Sequence, residues 1–182
     1  MLYWRASQSR PTEGISVSSY HLAQLNIGVI KGPMDSPIMA DFKINLDRIN
    51  AVAEQSSGFV WRLQTDEGDA TAIRPFDDEN MLVNMSVWES LETLTQYVYR
   101  SAHVELMRRR REWFKRMDQP FLVLWWVRRG HTPTVGEAIE RLKKLREYGP
   151  TAQAFTFKTA FPPPDAQGED DPIRLADECP AA

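Results

Sequence analysis

The residue types best suited to chemistry in this sequence centre on His103. An imidazole titrates near neutrality, so His103 can take a proton from a substrate or serve as an axial ligand to haem iron. It lies on a predicted helix, fifteen residues beyond Trp88, which closes a predicted strand. Tyr99 precedes it by four residues, the spacing that puts two side chains on one helical face. Tyr97, six residues before it, belongs elsewhere on the helical wheel. Gln24 and Asn26 share one side of an earlier strand, and Asn84, Ser86 and Trp88 share one side of a later one. Amides and a hydroxyl on a strand face beside a helical histidine read as the wall of a small-molecule pocket. Its amides are then available to hold a developing oxyanion. The alternative is that the same groups face the helix layer or bond to backbone. Arg62, inside a strand, either faces water or meets an anion in that pocket.

The remaining candidates are weaker. His21 starts a strand and His131 sits in the loop Gly130-His131-Thr132-Pro133, where each serves as a local polar contact. Four arginines run from Arg108 to Arg111. Successive helical residues point all round the axis, so at most one or two of them face any given pocket. Glu105, Glu112 and Asp118 stand within ion-pair reach, which reads as a solvated helix. The net charge of −3 and the lack of a broad basic face give no support to nucleic-acid binding. No histidines or cysteines stand at metal-ligand spacing, and there is no glycine-rich nucleotide loop, zincin motif or nucleophile elbow. Cys179, the single cysteine, allows no internal disulfide.

These residues need elements to position them. With 182 residues, 42% of them hydrophobic, the chain suits one domain with a real core. Strands are predicted at 20–27, 59–64, 81–88 and 121–128. A helix follows the Ser36-Pro37 cap and runs to about Ser56, with Phe42, Leu46, Ile49 and Ala53 along one stripe. A second spans 89–117 with a break near Ser101. A third, capped by Thr134 and Glu137, stops at Gly149-Pro150. A short strand at 154–158 completes an α-β appendix. The order is βαββαβ, a ferredoxin-like α+β fold: an antiparallel sheet with helices on one face. The domain spans 19–161, between a disordered N-terminal arm, 1–18, and an acidic, proline-rich tail, 162–182.

Six tryptophans are unusual for this length. The adjacent pair Trp125 and Trp126 must point to opposite faces of the sheet, so a large aromatic lies on the face away from the helices. Soluble monomers rarely expose such a patch, which predicts a homodimer formed through the sheet face. Trp126 joins Gln24, Asn26, Arg62, Asn84 and Ser86 as expected ligand-face residues. No window is long and apolar enough to cross a membrane, and no secretory signal precedes the domain, so a cytoplasmic protein is expected.

The stretch NMSVWESLETLTQYVYRSAH (84–103) resembles the third strand and second helix of the dimeric α+β barrel superfamily, which includes the antibiotic-biosynthesis monooxygenase-like domains. More specifically, HLAQLNIG (21–28), FVWRLQ (59–64), VNMSVWES (83–90), YVYRSAH (97–103), RRRREWF (108–114), LVLWWV (122–127), GHTPTVGEA (130–138) and AFTF (154–157) resemble a bacterial family of domains of unknown function, number 3291. The resemblance implies a dimeric barrel but no particular reaction. Within the superfamily it implies three alternatives. The first is a cofactor-independent oxygenase acting on an aromatic or quinol-like molecule, with His103, Tyr99 and Trp88 as catalytic candidates. The second is a haem protein with His103 or His131 as axial ligand. The third is a non-catalytic binding or structural module.

Overall fold

A computed structural model describes residues 18–66, 68–73, 76, 78–166 and 172–173. Most of the expected N-terminal arm and most of the acidic tail lie outside these residues. The elements are β1 (Tyr20–Val29), α1 (Ala40–Glu54), β2 (Phe59–Arg62), β3 (Met81–Trp88), α2 (Leu91–Arg100), α3 (His103–Trp113), β4 (Leu122–Arg128) and α4 (Val135–Tyr148). The strands form one antiparallel sheet in the order β2-β3-β1-β4. This is the ferredoxin-like α+β arrangement expected from the sequence. Of the expected appendix, α4 is present, but 154–158 forms no strand: Phe155 makes an isolated bridge to Leu124 along the free edge of β4.

Local chemistry explains the boundaries. Ser36 does not cap α1. Its hydroxyl bonds instead to the Pro33 carbonyl, so Pro37 opens a short 3-10 turn and the α-helix starts at Ala40. Ser90 caps α2, with Thr93 completing a reciprocal box. The break between α2 and α3 falls at Ser101, whose backbone is extended. Its hydroxyl donates to the Tyr97 carbonyl and accepts from the His103 backbone N–H, which ties the end of one helix to the start of the next. Thr134 accepts from the Glu137 N–H at the start of α4, and Gly149, at φ 74°, ends that helix in a conformation suited to glycine.

Strand pairing sorts the side chains into two sets. Leu22 lies opposite Trp88, Gln24 opposite Ser86 and Asn26 opposite Asn84, so all six share one face. The alternate set, Ala23, Leu25, Ile27, Val83, Met85, Val87, Val123, Trp125 and Val127, is apolar throughout, and none of it is more than 4% exposed. Ala138, Leu142 and Leu145 of α4 cover it, with Ile73 and Phe76 from the β2–β3 connection and Met81 at the start of β3.

Two expectations change as a result. The polar row of β1 and β3 faces α1, α2 and α3, not away from them. The opposite face, expected to be open and closed by a second subunit, is closed within the chain. The alternation along the strands was readable, but which set the appendix helix would cover was not. A homodimer through that sheet face would have to displace α4. The chain also continues to make contacts past Phe161: Asp165 accepts from the Ser18 hydroxyl and the Ser19 N–H, and Ile173 bridges to Ala160. Among the described residues no helix is long and apolar enough to cross a membrane.

Trp125 is fully buried on the apolar face, and its indole N–H donates to Glu137 of α4 at 3.0 Å. Trp125→Ala is predicted to cost about 3–5 kcal/mol, the range for deleting a large buried aromatic. Trp125→Phe should cost less, because it keeps a ring but leaves the Glu137 oxygen without its donor. Urea denaturation curves of the two variants check that order; a loss under about 1 kcal/mol for Trp125→Ala would contradict the packing.

Candidate functional site

Between the polar face of the sheet and the α1–α3 layer lies a cavity of about 170 Å³. Its floor is Gln24, Asn26, Asn84, Ser86 and Trp88, and Phe42, Leu46, Ile49 and Ala53 of α1 form one wall. These four are the stripe expected to bury α1; here part of that stripe lines space instead of packing solidly. The other wall comes from α3, whose His103, Leu106, Met107 and Arg110 recur at helical spacing on one face.

One end of the cavity is aromatic. Tyr97 stacks on Trp88 with ring centroids 4.9 Å apart and planes 24° from parallel, and His103 meets the other partner of that stack, Tyr97, at 4.9 Å. Phe59 packs edge-on against Trp88 at 5.4 Å. The Trp88 indole donates to the Ser86 hydroxyl at 2.9 Å, and the Gln24 amide donates to Asn84 at 3.3 Å. Asn84 and Gln24 each keep further amide valences for a ligand.

Seven of the nine expected site residues line this cavity: His103, Trp88, Gln24, Asn26, Arg62, Asn84 and Ser86. Tyr99 and Trp126 do not. Tyr99 packs against Phe157 at 5.6 Å, and Tyr97 takes the place beside His103. The cause is Ser101: continuous helical spacing would pair residues 99 and 103, but the extended residue between the helices resets the phase. Trp126 shares the polar face but belongs to the edge strand. It is roofed by the 155–161 segment, with its indole bonded to the Phe161 carbonyl at 2.8 Å. Arg62 borders the cavity with its charge already paired to Glu54 at 2.7 Å and a second bond to the Gly68 carbonyl.

Burial governs the titrating groups. It pushes His103 down to about 4, aided by the nearby Arg110 charge and opposed by the Val98 backbone carbonyl. His103 is therefore neutral at pH 7, and its buried Nδ1 has no hydrogen-bond partner. Burial pushes the Tyr97 hydroxyl upward, with Arg62 opposing, so Tyr97 stays a donor and cannot act as a base near neutrality. His21 is also buried, on the other face, and is lowered by desolvation. His131 lies outside, bonded to Glu137 at 2.8 Å.

Sequence reasoning passed over Tyr97, Arg110 and Gly28. The signal for Arg110 was its place seven residues beyond His103, two turns along the same face. Gly28 has a steric reason to be glycine: a Cβ there would stand 2.6 Å from the Phe114 ring and 3.1 Å from the Arg110 guanidinium.

Haem fails the test of fit. A cavity of roughly 150 Å³ holds one benzene-sized molecule, and a porphyrin has four pyrrole rings. His131 is paired on the outside.

Residues 21–171 match the model of the family described as Domain of unknown function (DUF3291). The chain belongs to this family. Comparison of the DUF3291 domain with curated proteins gives no match. Among solved structures it is similar to SnoaB, a cofactor-independent oxygenase from Streptomyces nogalater, at 18% identity and a TM-score of 0.43, over 63% of this chain and 98% of that one. It is also similar to NE2512, a protein of unknown function from Nitrosomonas europaea, at 13% identity and a TM-score of 0.40, over 64% and 95% of the two chains. At this level of likeness no residue role carries across.

The depressed His103 has a consequence for stability. Its folded pKa lies below its unfolded value near 6.5, so between the two the unfolded chain binds more protons. Stability is predicted to be full above about pH 6.5 and to fall by about 3 kcal/mol as pH drops to about 4, with His21 adding in the same direction. His103→Leu should flatten part of that fall in urea denaturation measured across the window. An unchanged slope would show that the imidazole is not held neutral.

Proposed function

We propose that this DUF3291 domain is a cofactor-independent oxygenase acting on a small, single-ring aromatic of the phenol or quinol type. The observation that carries the reading is the neutral His103 with an unpartnered Nδ1, set beside the Tyr97–Trp88 stack at the border of a ring-sized cavity. The substrate ring stacks among the aromatics. His103 accepts its acidic proton, and the amides of Gln24, Asn26 and Asn84 hold the resulting oxyanion. Dioxygen is the co-reactant. The electron-rich anion reduces it, one oxygen atom is retained as a ring carbonyl and the other leaves as water, so the phenolic O–H, a ring C–H and O₂ become the two carbonyls of a quinone and H₂O.

A second reading shares the site without the reaction. The strongly lowered basicity of His103 suits a hydrogen-bond acceptor in a binding module as well as it suits a base. Oxygen-electrode measurements with single-ring hydroquinones, catechols and cyclic ketones having an acidic CH₂ decide between the two. The oxygenase reading expects uptake above the uncatalysed rate, and His103→Ala should lower it roughly 10²- to 10⁴-fold, the usual worth of a general base. Substrates that bind without oxygen uptake would favour the binding module.

A further inference from the structure

We infer that the ligand of this cavity carries a carboxylate and that Arg110 receives it. This rests on the reading of the cavity as a small-molecule site and names the charge of what enters it. Three charged side chains line the space, and two are already engaged. Arg62 is paired with Glu54, and Asp69 accepts from the backbone and hydroxyl of Thr71. Arg110 is the third. It is half-buried and has no Asp or Glu partner among the described residues.

Its surroundings hold it in place without neutralising it. The guanidinium lies over the Phe114 and Phe121 rings, 4.7 Å from each centroid, and one terminal nitrogen donates to the Ile27 carbonyl at 3.0 Å. Stacking occupies the face of the group and leaves its N–H donors in the plane. One backbone acceptor does not satisfy five donors. Gly28 has no side chain to fill the space beside it, and any Cβ there would crowd the guanidinium. The neighbouring Arg109, by contrast, pairs with both Asp41 and Glu112 on the outer surface. Of these two neighbours, the one that turns inward is the one without an Asp or Glu partner among the described residues. A guanidinium does not lose its proton under these conditions, so a planar carboxylate, which matches its fork, is the complement the site lacks.

Arg110 and His103 stand two helical turns apart, about 10 Å along the axis. A ligand with a carboxylate at one end and an aromatic O–H at the other can address both. Calorimetric titration with para-hydroxybenzoate and para-hydroxybenzamide tests this, because the two probes match in shape and differ in charge. Wild-type protein should bind the acid more tightly, by roughly tenfold to a hundredfold, the worth of a charge-assisted pair. Arg110→Gln should abolish the preference while leaving amide binding in place, and Arg110→Lys should retain part of it. Equal affinity of the wild type for both probes, which needs no variant to measure, would overturn the inference and leave the aromatic site standing. A preference unchanged in Arg110→Gln would overturn it as well. Binding of neither probe would remove the small-molecule site and the inference together. Oxygen uptake plays no part in these readouts, so a failed oxygenase reading would show separately.

Discussion

The structure depends on one constraint: the two central strands carry their amide side chains and the Ser86 hydroxyl on the same face. Gln24, Asn26, Asn84 and Ser86 stand in register across β1 and β3, and Ala23, Leu25, Ile27, Val83, Met85 and Val87 on the other face are apolar, with His21 at its edge. A face of that kind cannot form a dry core without leaving amides unsatisfied. The stabilising burial therefore falls to the other face, where α4 closes over Leu25, Met85, Val123 and Trp125. That division of labour releases the α1–α3 layer from tight packing against the middle of the sheet. The cavity is what such a layer leaves above a floor of amides. Trp125 and Trp126, which must be covered on opposite sides, are both covered within the chain, one by α4 and the other by the 155–161 segment.

The break at Ser101 is the second determinant, and it acts through geometry. A continuous helix from Leu91 to Trp113 would have placed Tyr99 over His103. Instead Ser101 bonds to both helix ends and turns the chain, so that α3 runs as a separate wall with its own phase. Tyr97, Trp88 and Phe59 then form a ladder of rings reaching from His103 to β2. Burial of the histidine beside this ladder lowers its basicity, and the Val98 carbonyl offsets the loss only in part.

What could be read from the sequence follows from these two points. Alternation marked β1, β3 and β4 to within two residues, and the β-α-β-β-α-β order led directly to the sheet topology. Most of the cavity floor was legible because period-two spacing assigns residues to faces without needing to know what lies above them. Which face met the helices was not legible, since it depends on where α4 returns after β4, a long-range fact with no local signature. Tyr97 was missed for a related reason: helical spacing predicts neighbours only while the helix continues. Arg110 was obscured by its company. In a run of four arginines charge gives no hint of direction, and only its spacing from His103 distinguishes the inward one.

The electrostatics of the site limit what His103 can deprotonate. With His103 near 4 and a plain phenol near 10, transfer is uphill by roughly six units, or about 8 kcal/mol. An imidazolium and a phenolate about 4 Å apart recover about 4 kcal/mol at an effective dielectric of 20. A charge-assisted hydrogen bond adds about 2 kcal/mol. The shortfall of about 2 kcal/mol is between one and two pKa units, so the base suits O–H or C–H groups more acidic than those of plain phenol. Arg110 bears on the same balance. Its charge is one of the causes that depress His103, and a carboxylate placed against it cancels that effect. An anionic ligand thus raises the basicity of the imidazole in the act of binding, whereas a neutral one leaves it depressed. The group that recognises the ligand would also adjust the group that reacts with it.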